Sequence, residues 1–322
     1  MTKLKVGILD FTGLTSKAKT ASSTSIKEVQ ALREEIKKAG CEPRTYKVEK
    51  CQLYFHGRKS EILYNNKKIK GCDVLIPRVS VVSANVDLEI SIVKQFQMMD
   101  IPVLNEYLPI ARAKNKLRTM QILTNKNIPV PTTIVVRKLD YIDDAIKAIG
   151  GYPAILKTPF GSYGTGVVIV ESRRALYSAL DIIWKAGTNI ILIQQYVAEA
   201  DGSDFRAFVV GDRVVAAMQR IAKTGDFRSN LHLGGEARKA ELTHEEERLA
   251  VRATEALGLH IAGVDLLRSK DGPLVMEVNS NPGFTGLSQI SKVNVASEIV
   301  DYAIGYAKGH ALDVKNNKSN SG

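Results

Sequence analysis

The chain reads as an α/β protein, with a parallel, helix-covered sheet at its N-terminal end and two α+β regions after it. Three observations predict this. Short apolar runs alternate with amphipathic helical stretches through the first hundred residues, the pattern of parallel strands joined by crossover helices. Near the C-terminal end, apolar runs flank Ser269-Lys270-Asp271-Gly272 and predict an antiparallel hairpin. The chain has 322 residues with 44% hydrophobic content, enough to bury two or three cores.

Taken in order, residues 3–10 (KLKVGILD) predict a buried strand, and residues 26–39 an amphipathic helix stopped by Gly40. Between them, residues 15–25 (TSKAKTASSTS) are polar and turn-rich and predict a mobile loop. Residues 72–77 (CDVLIP) predict the next strand, 86–99 a helix, and 101–104 (IPVL) a short strand. Helical spacing returns over 110–123 (IARAKNKLRTMQIL), and Pro129 and Pro131 end the connection after it. A first boundary therefore falls near residue 112, closing an N-terminal domain of residues 1–112. A central region, 113–199, carries strands at 132–136, 154–157, 166–171 and 190–194 and helices at 143–149 and 173–185. A third, 200–311, carries strands at 204–210 and 214–220, a helix at 243–257 and the hairpin. The polar, low-complexity end, residues 312–322, predicts a disordered tail.

Composition bounds the class. Forty-five basic against 34 acidic residues give a formal charge of +11, which favours acidic partners: nucleotide phosphates, an acidic peptide or nucleic acid. No apolar run approaches the ~20 residues needed to cross a bilayer, and the first residues pass straight into a strand with no cleavage signal. Cys41, Cys51 and Cys72 have no C-x-x-C spacing, and an odd number suits reduced thiols. A cytoplasmic protein without a membrane partner is expected.

The richest motif is AGVDLLRSKDGPLVMEVNSNPG. Side chains alternate faces along a strand, so Glu277 and Asn279 look the same way, and the hairpin brings Asp265 back beside them. Carboxylate and amide oxygens suit a hard divalent cation such as magnesium, which shares its coordination with nucleotide phosphates. Alone, the trio reads equally well as an edge hairpin with solvated acids. The second motif is Lys157 followed by PFGSYGTGV, with Gly161, Gly164 and Gly166. Glycines let successive N–H groups approach phosphate oxygens, and the lysine supplies the matching charge. It matches neither a Walker loop nor a dinucleotide fingerprint, and alone it reads more readily as a hairpin turn with a solvated lysine. The two motifs together favour a nucleotide site.

Other segments add to it. Residues 190–197 (IILIQQYV) end an apolar strand with polar groups able to pair with an adenine edge. Downstream lie Asp204, Arg206, Arg220, Lys223, Arg228, Ser229 and Asn230. Arg220 and Arg228 are candidates to hold a transferring phosphoryl group, because guanidinium forks grip phosphate and carboxylate in two-pronged fashion. The competing assignment is a basic surface face. His232 has no assigned role, and His56, His244, His260 and His310 read as structural or surface residues.

These motifs resemble those of the ATP-grasp superfamily, and within it the RimK-like α-L-glutamate ligases, the ribosomal-protein glutamate ligase group. The resemblance runs from Ile76-Pro77-Arg78 through NEYLPIARAKNKLRTMQIL, the glycine segment, GDFRSNLHLGGEA and the metal hairpin, most of residues 72–310. It implies an ATP-grasp fold: an N-terminal parallel α/β pre-ATP-grasp domain plus two α+β subdomains gripping ATP, 113–199 as the lid and 200–311 with the metal site. It assigns ATP contacts to Lys116, Lys157, Gln195, Tyr196, Asp204, Arg228, Ser229 and Asn230. Asp265, Glu277 and Asn279 are assigned to magnesium or manganese, with two ions. Arg228, Lys157 and Arg220 are the implied catalytic residues. Gln195 stands where an acidic residue is common, and Gln219 and Ile221 depart from the pattern around Arg220.

The implied reaction is ADP-forming ligation: a carboxylate attacks the γ-phosphate of ATP, and an amine displaces phosphate from the acyl phosphate. The resemblance makes L-glutamate the amine, and an acidic protein C-terminus or a small acidic acceptor the carboxylate. Alternatives are another amino acid or a coenzyme acceptor in the same class, or a nucleotide-regulated ribosome- or RNA-binding protein. Against the last, aromatic content is 6% and no interleaved aromatic and basic motif occurs, so nucleic acid is not expected as a direct substrate. A homo-oligomer is the expected assembly.

Overall fold

The computed structural model describes residues 3–15, 19–79, 87, 90–161, 166–185, 190–223 and 234–319, with side chains left out at 14–15, 19–23 and 312–319. β1 (Lys5–Asp10), α1 (Lys19–Lys38), β2 (Glu42–Lys47), β3 (Cys51–His56), β4 (Lys59–Tyr64), β5 (Lys67–Lys68), β6 (Val74–Arg78) and α2 (Ser91–Met98) make the N-terminal part. Here β1 pairs in parallel with β2 on one side and β6 on the other. Val6 and Ile8 of β1 enter one core and Leu9 the other, as the strand period of two requires. α1 begins at Lys19 and not after Ser25, which overturns the expected loop over much of 15–25. No proline or glycine separates Lys19 from Gly40, so a helix nucleated on its apolar C-terminal half propagates backward at one bond per residue. The helix expected at 86–99 is described as Ser91–Met98, and of the strand expected at 101–104 only Val103 bridges, to Leu75.

The β3–β4–β5 meander was not legible in advance. It turns at Gly57, with φ +58°, and at Asn65 and Asn66, both left-handed, and it packs Leu53, Ile62 and Tyr64 onto the core around Phe96.

α3 (Tyr107–Ala113) and α4 (Lys116–Asn125) replace the single helix expected at 110–123. The break is chemical: Asn115 leaves the helical region and its side chain accepts from the Arg118 N–H at 3.1 Å, capping α4. β7 (Thr133–Val136), α5 (Ile142–Ala148), β8 (Ala154–Lys157), β9 (Val167–Val170), α6 (Arg173–Lys185) and β10 (Ile191–Gln195) follow. Their antiparallel sheet has the order β7-β10-β8-β9.

β11 (Ser203–Val210), β12 (Arg213–Ile221), β13 (Glu236–Lys239), α7 (His244–Leu257), β14 (Ile261–Ser269) and β15 (Gly272–Asn279) build an antiparallel sheet ordered β13-β12-β11-β14-β15. α7 starts on a full capping box: Thr243 accepts from the Glu246 N–H and Glu246 accepts from the Thr243 N–H. One face of this sheet packs with α7 and with Leu123 and Ile128, so the segment around α4 shares the third core. On the other face, Phe208, Val210, Ala216 and Met218 meet the N-terminal core together with α8 (Thr285–Ser291) and α9 (Val295–Ser319).

The expected disordered tail is corrected over 312–319, where α9 continues to Ser319. Val295, Ile299, Val300, Ala303 and Ala307 anchor that helix in the core, and an anchored helix extends cheaply into a polar segment.

Candidate active site

The cleft lies between the central and C-terminal sheets. Ala154, Leu156, Ile191 and Ile193 pack with α5 and α6, and the period of two sends Lys157, Leu192 and Gln194 to the opposite face. There they meet Lys116 and Met120 from α4, and Met276 and Glu277 from β15, around about 300 Å³ of empty space that includes open solvent.

The β14–β15 register sets Asp265 opposite Glu277 and Gly263 opposite Asn279. Val264, Leu266, Val275 and Val278 enter the core with α7, which turns Asp265, Glu277 and Asn279 to the other face. Val275 and Val278 are three apart because the pairing jumps from Asp265↔Glu277 to Leu266↔Val275, leaving Met276 as the extra residue of a bulge. The bulge lets two consecutive residues, Met276 and Glu277, line one cleft.

Lys116 ties the cleft together. Its Nζ lies 3.9 Å from Glu277 Oε1 and donates to the Gly161 carbonyl at 3.0 Å, while its backbone N–H donates to Pro159 at 2.9 Å. Lys157 is 8% exposed. Burial pulls its ammonium down to about 8, with Lys116 adding to the effect and Glu277 and Asp265 opposing it. One buried ammonium and a second, 14% exposed, beside a cleft with one partly exposed carboxylate suit a polyanionic ligand. At Gly166, φ is +74° and a Cβ would stand 2.2 Å from Thr158 Oγ1, so this position requires glycine.

Behind the cleft is a buried ionic lattice. Arg206 grips Asp265 with two bonds of 2.7 Å, and Arg220 grips Asp204 with bonds of 2.6 and 2.7 Å. Arg220 Nη2 also reaches Asp265 Oδ2 at 2.9 Å, and the Asn279 amide approaches the same oxygen at 3.4 Å. Burial pushes the Asp265 carboxyl up, but Arg206 and Arg220 outweigh it and hold the group below the usual carboxylate range.

Of the residues named from sequence, Lys116, Lys157 and Glu277 line the cleft, and Asp265 and Asn279 adjoin it through the lattice. Asp204 and Arg220 are buried against each other. Gln195 is exposed, and Tyr196 follows it at the end of β10. Arg228, Ser229, Asn230, His232 and Gly164 lie outside the described residues. Sequence reasoning missed Gln194, whose buried amide donates to Thr133 Oγ1 at 2.7 Å and which lines the cleft; strand alternation applied to Gln194-Gln195 could have found it. It also missed Met276, which only the bulge reveals, and half-buried Lys114. Burial lowers the Lys114 ammonium, Lys116 adds to this and Glu277 opposes it.

The donor set fits a hard cation. Among the described residues no three His, Cys, Asp or Glu side chains cluster as ligands, so the Asn279 amide oxygen is needed to complete a set with Asp265 and Glu277. All three offer oxygen, as magnesium requires, and Glu277 is the least committed, at 34% exposed.

This architecture is that of an ATP-grasp ligase. The chain superimposes with a TM-score of 0.71 on the ATP-grasp ligase PsnB complexed with minimal precursor, at 17% identity, covering 94% of this chain and 99% of that one. A second PsnB structure, with a phosphomimetic variant of minimal precursor, Mg and ADP, gives 0.69 at 16% identity, covering 95% and 99%. Residues 20–110 match the RimK PreATP-grasp domain and residues 113–303 the RimK-like ATP-grasp domain, and the chain belongs to this RimK-like ATP-grasp family. A relative named "Probable alpha-L-glutamate ligase" from Pseudoalteromonas translucida (strain TAC 125) is 39% identical over 300 residues, 93% of this chain and 95% of that protein. The protein is an ATP-dependent ligase. Among the described residues no helix is long and apolar enough to cross a membrane.

Proposed function

We propose that the chain forms a peptide bond between L-glutamate and the carboxylate of an acidic acceptor, the C-terminus of a protein, through an acyl phosphate. The observation that carries this reading is the meeting of Lys157, Lys116 and Glu277 around one cleft, with Asp265 and Asn279 adjoining. Lys116 and Lys157 hold the triphosphate, and Gln194, Met276 and Leu192 face the base beside the β10 backbone. Asp265, Glu277 and Asn279 hold magnesium, two ions in the full site; when bound, it neutralises phosphate charge during transfer.

The acceptor carboxylate attacks the γ-phosphorus, the bond to the β-phosphate oxygen breaks, and ADP leaves. The glutamate amine then attacks the acyl carbon and expels phosphate, losing a proton. Positioning and fixed positive charge supply the catalysis, so no side chain need act as a nucleophile. Asp204 serves by fixing Arg220, and Arg228, Ser229 and Asn230 complete the phosphate contacts. The same reading divides the chain near residues 112 and 199 and places it in the cytoplasm as a homo-oligomer.

The test is mass spectrometry of peptides with acidic C-termini after incubation with ATP, magnesium and each amino acid in turn. Increments of one glutamyl unit with matching ADP release are expected with glutamate; ATP turnover with unmodified peptide, or addition of a different amino acid, overturns the reading.

A further inference from the structure

The segment running from β2 through the β3–β4–β5 meander, residues 44–70, carries over half of the net charge of the chain. Between residues 44 and 70 eight side chains are basic and two acidic, a surplus of six against eleven for the whole protein. Lys68 pairs with Glu61 at 2.7 Å and Arg44 with Glu42 at 3.0 Å. Lys47, Lys50, Arg58, Lys59, Lys67 and Lys70 are exposed, and none pairs with a described carboxylate. A surplus that the fold leaves uncompensated costs self-repulsion and raises the local concentration of anions.

The meander is also firmly built. Leu53, Ile62 and Tyr64 face the core, and Gln95 of α2 donates to Ser60 Oγ at 3.0 Å. Alternation sends Tyr54 and His56 outward beside Lys59, which stands opposite His56 in the register. The same core reaches Phe160, next in sequence to Gly161, whose carbonyl takes the Lys116 bond in the cleft. The exposed basic side chains thus fringe the meander on both sides, Lys59 outward opposite His56 and Lys67 opposite the core-facing Tyr64, around a core that also takes in Phe160 at the start of the glycine segment.

We propose that this basic fringe docks the acidic polypeptide segment of the acceptor outside the catalytic cleft, holding the chain while its terminus reaches the phosphates. The inference rests on the acidic acceptor proposed above. Tethering a substrate at a second point turns its entry into the cleft into an intramolecular event, with an effective concentration in the range of about millimolar. Single-stranded nucleic acid fits less well. Its binders present successive free ring faces along one surface, whereas Tyr54 and His56 stack on each other at 5.4 Å and 29°, and Phe55, 68% exposed, projects from the opposite side of the strand.

The experiment uses the full chain and the triple variant Arg58→Glu, Lys59→Glu, Lys67→Glu, with the neutral triple to Gln as a milder companion. Anisotropy of a fluorescein-labelled oligo-glutamate peptide, without ATP, should show affinity about tenfold weaker in the reversed triple and intermediate in the neutral one. The difference should vanish in 1 M salt, where the screening length is about 3 Å. The acceptor KM should rise by the same factor, with kcat and the ATP KM unchanged. Equal peptide affinity and equal acceptor KM in all three proteins overturn the proposal. So does tighter capture of a single-stranded RNA of matched charge that the triple abolishes. If the parent binds the peptide but adds no glutamyl unit, the proposed glutamylation of an acidic C-terminus fails while the docking surface stands.

Discussion

Arg206 holds Asp265 by a two-pronged pair of 2.7 Å bonds, and the same carboxylate takes a third guanidinium contact from Arg220 at 2.9 Å. Asp265 is therefore the counter-ion of two arginines as well as one of three oxygen donors beside the cleft. Glu277, directly opposite it in the register, is partly exposed and faces one lysine at 3.9 Å.

Removing these two acids should have different consequences. Asp265→Ala leaves arginine charge buried without its partner and should destabilise the fold by about 3–5 kcal/mol while abolishing turnover. Glu277→Ala should abolish turnover with an unchanged melting temperature. Calorimetry beside ADP release decides it, and normal activity in Glu277→Ala removes the metal assignment.

Lys157 gives a pH dependence. Its ammonium titrates at about 8 because it is buried, so the free enzyme loses a phosphate-binding charge as pH rises through that value. Bound phosphates favour the charged form and raise the pKa, so kcat/KM for ATP should fall above pH about 8 while kcat falls only at higher pH. Lys157→Arg keeps its charge throughout and should flatten the limb; an unaltered profile in that variant assigns the titration to another group.

Met276 tests the bulge. Truncation to Ala removes apolar surface from the cleft and should raise the ATP KM about tenfold, with kcat and acceptor KM kept. A loss confined to kcat would instead place Met276 at the reacting atoms.

A last prediction concerns the link between the first strand layer and the loop after β15. Arg78 meets Glu28 at 2.6 Å and donates to the Pro282 carbonyl at 3.1 Å, while Glu28 accepts from the Phe284 N–H at 2.7 Å. Both side chains are buried, at 6% and 4% exposure. Glu28→Leu alone should cost about 3–5 kcal/mol by stranding Arg78, and adding Arg78→Met should recover part of it, because an apolar pair no longer carries buried charge. Chemical denaturation of the single and double variants reads this directly; an equal loss in both attributes the effect to packing.

By itself the sequence determined the layers, the hairpin and the kind of chemistry. Alternation placed Glu277 and Asn279 on one face, the turn returned Asp265 to them, and glycines after Lys157 marked a close approach of backbone, all because these signals depend on neighbours a few residues apart. What required the tertiary structure was everything set by distant partners. Met276 reaches the cleft through a register slip fixed by the opposing strand. Arg206, Asp204 and Arg220 become a lattice only when three strands pair. Local periodicity fixes which way a side chain points from its own element; what it meets there is decided by whichever distant segment the packing of the cores brings opposite.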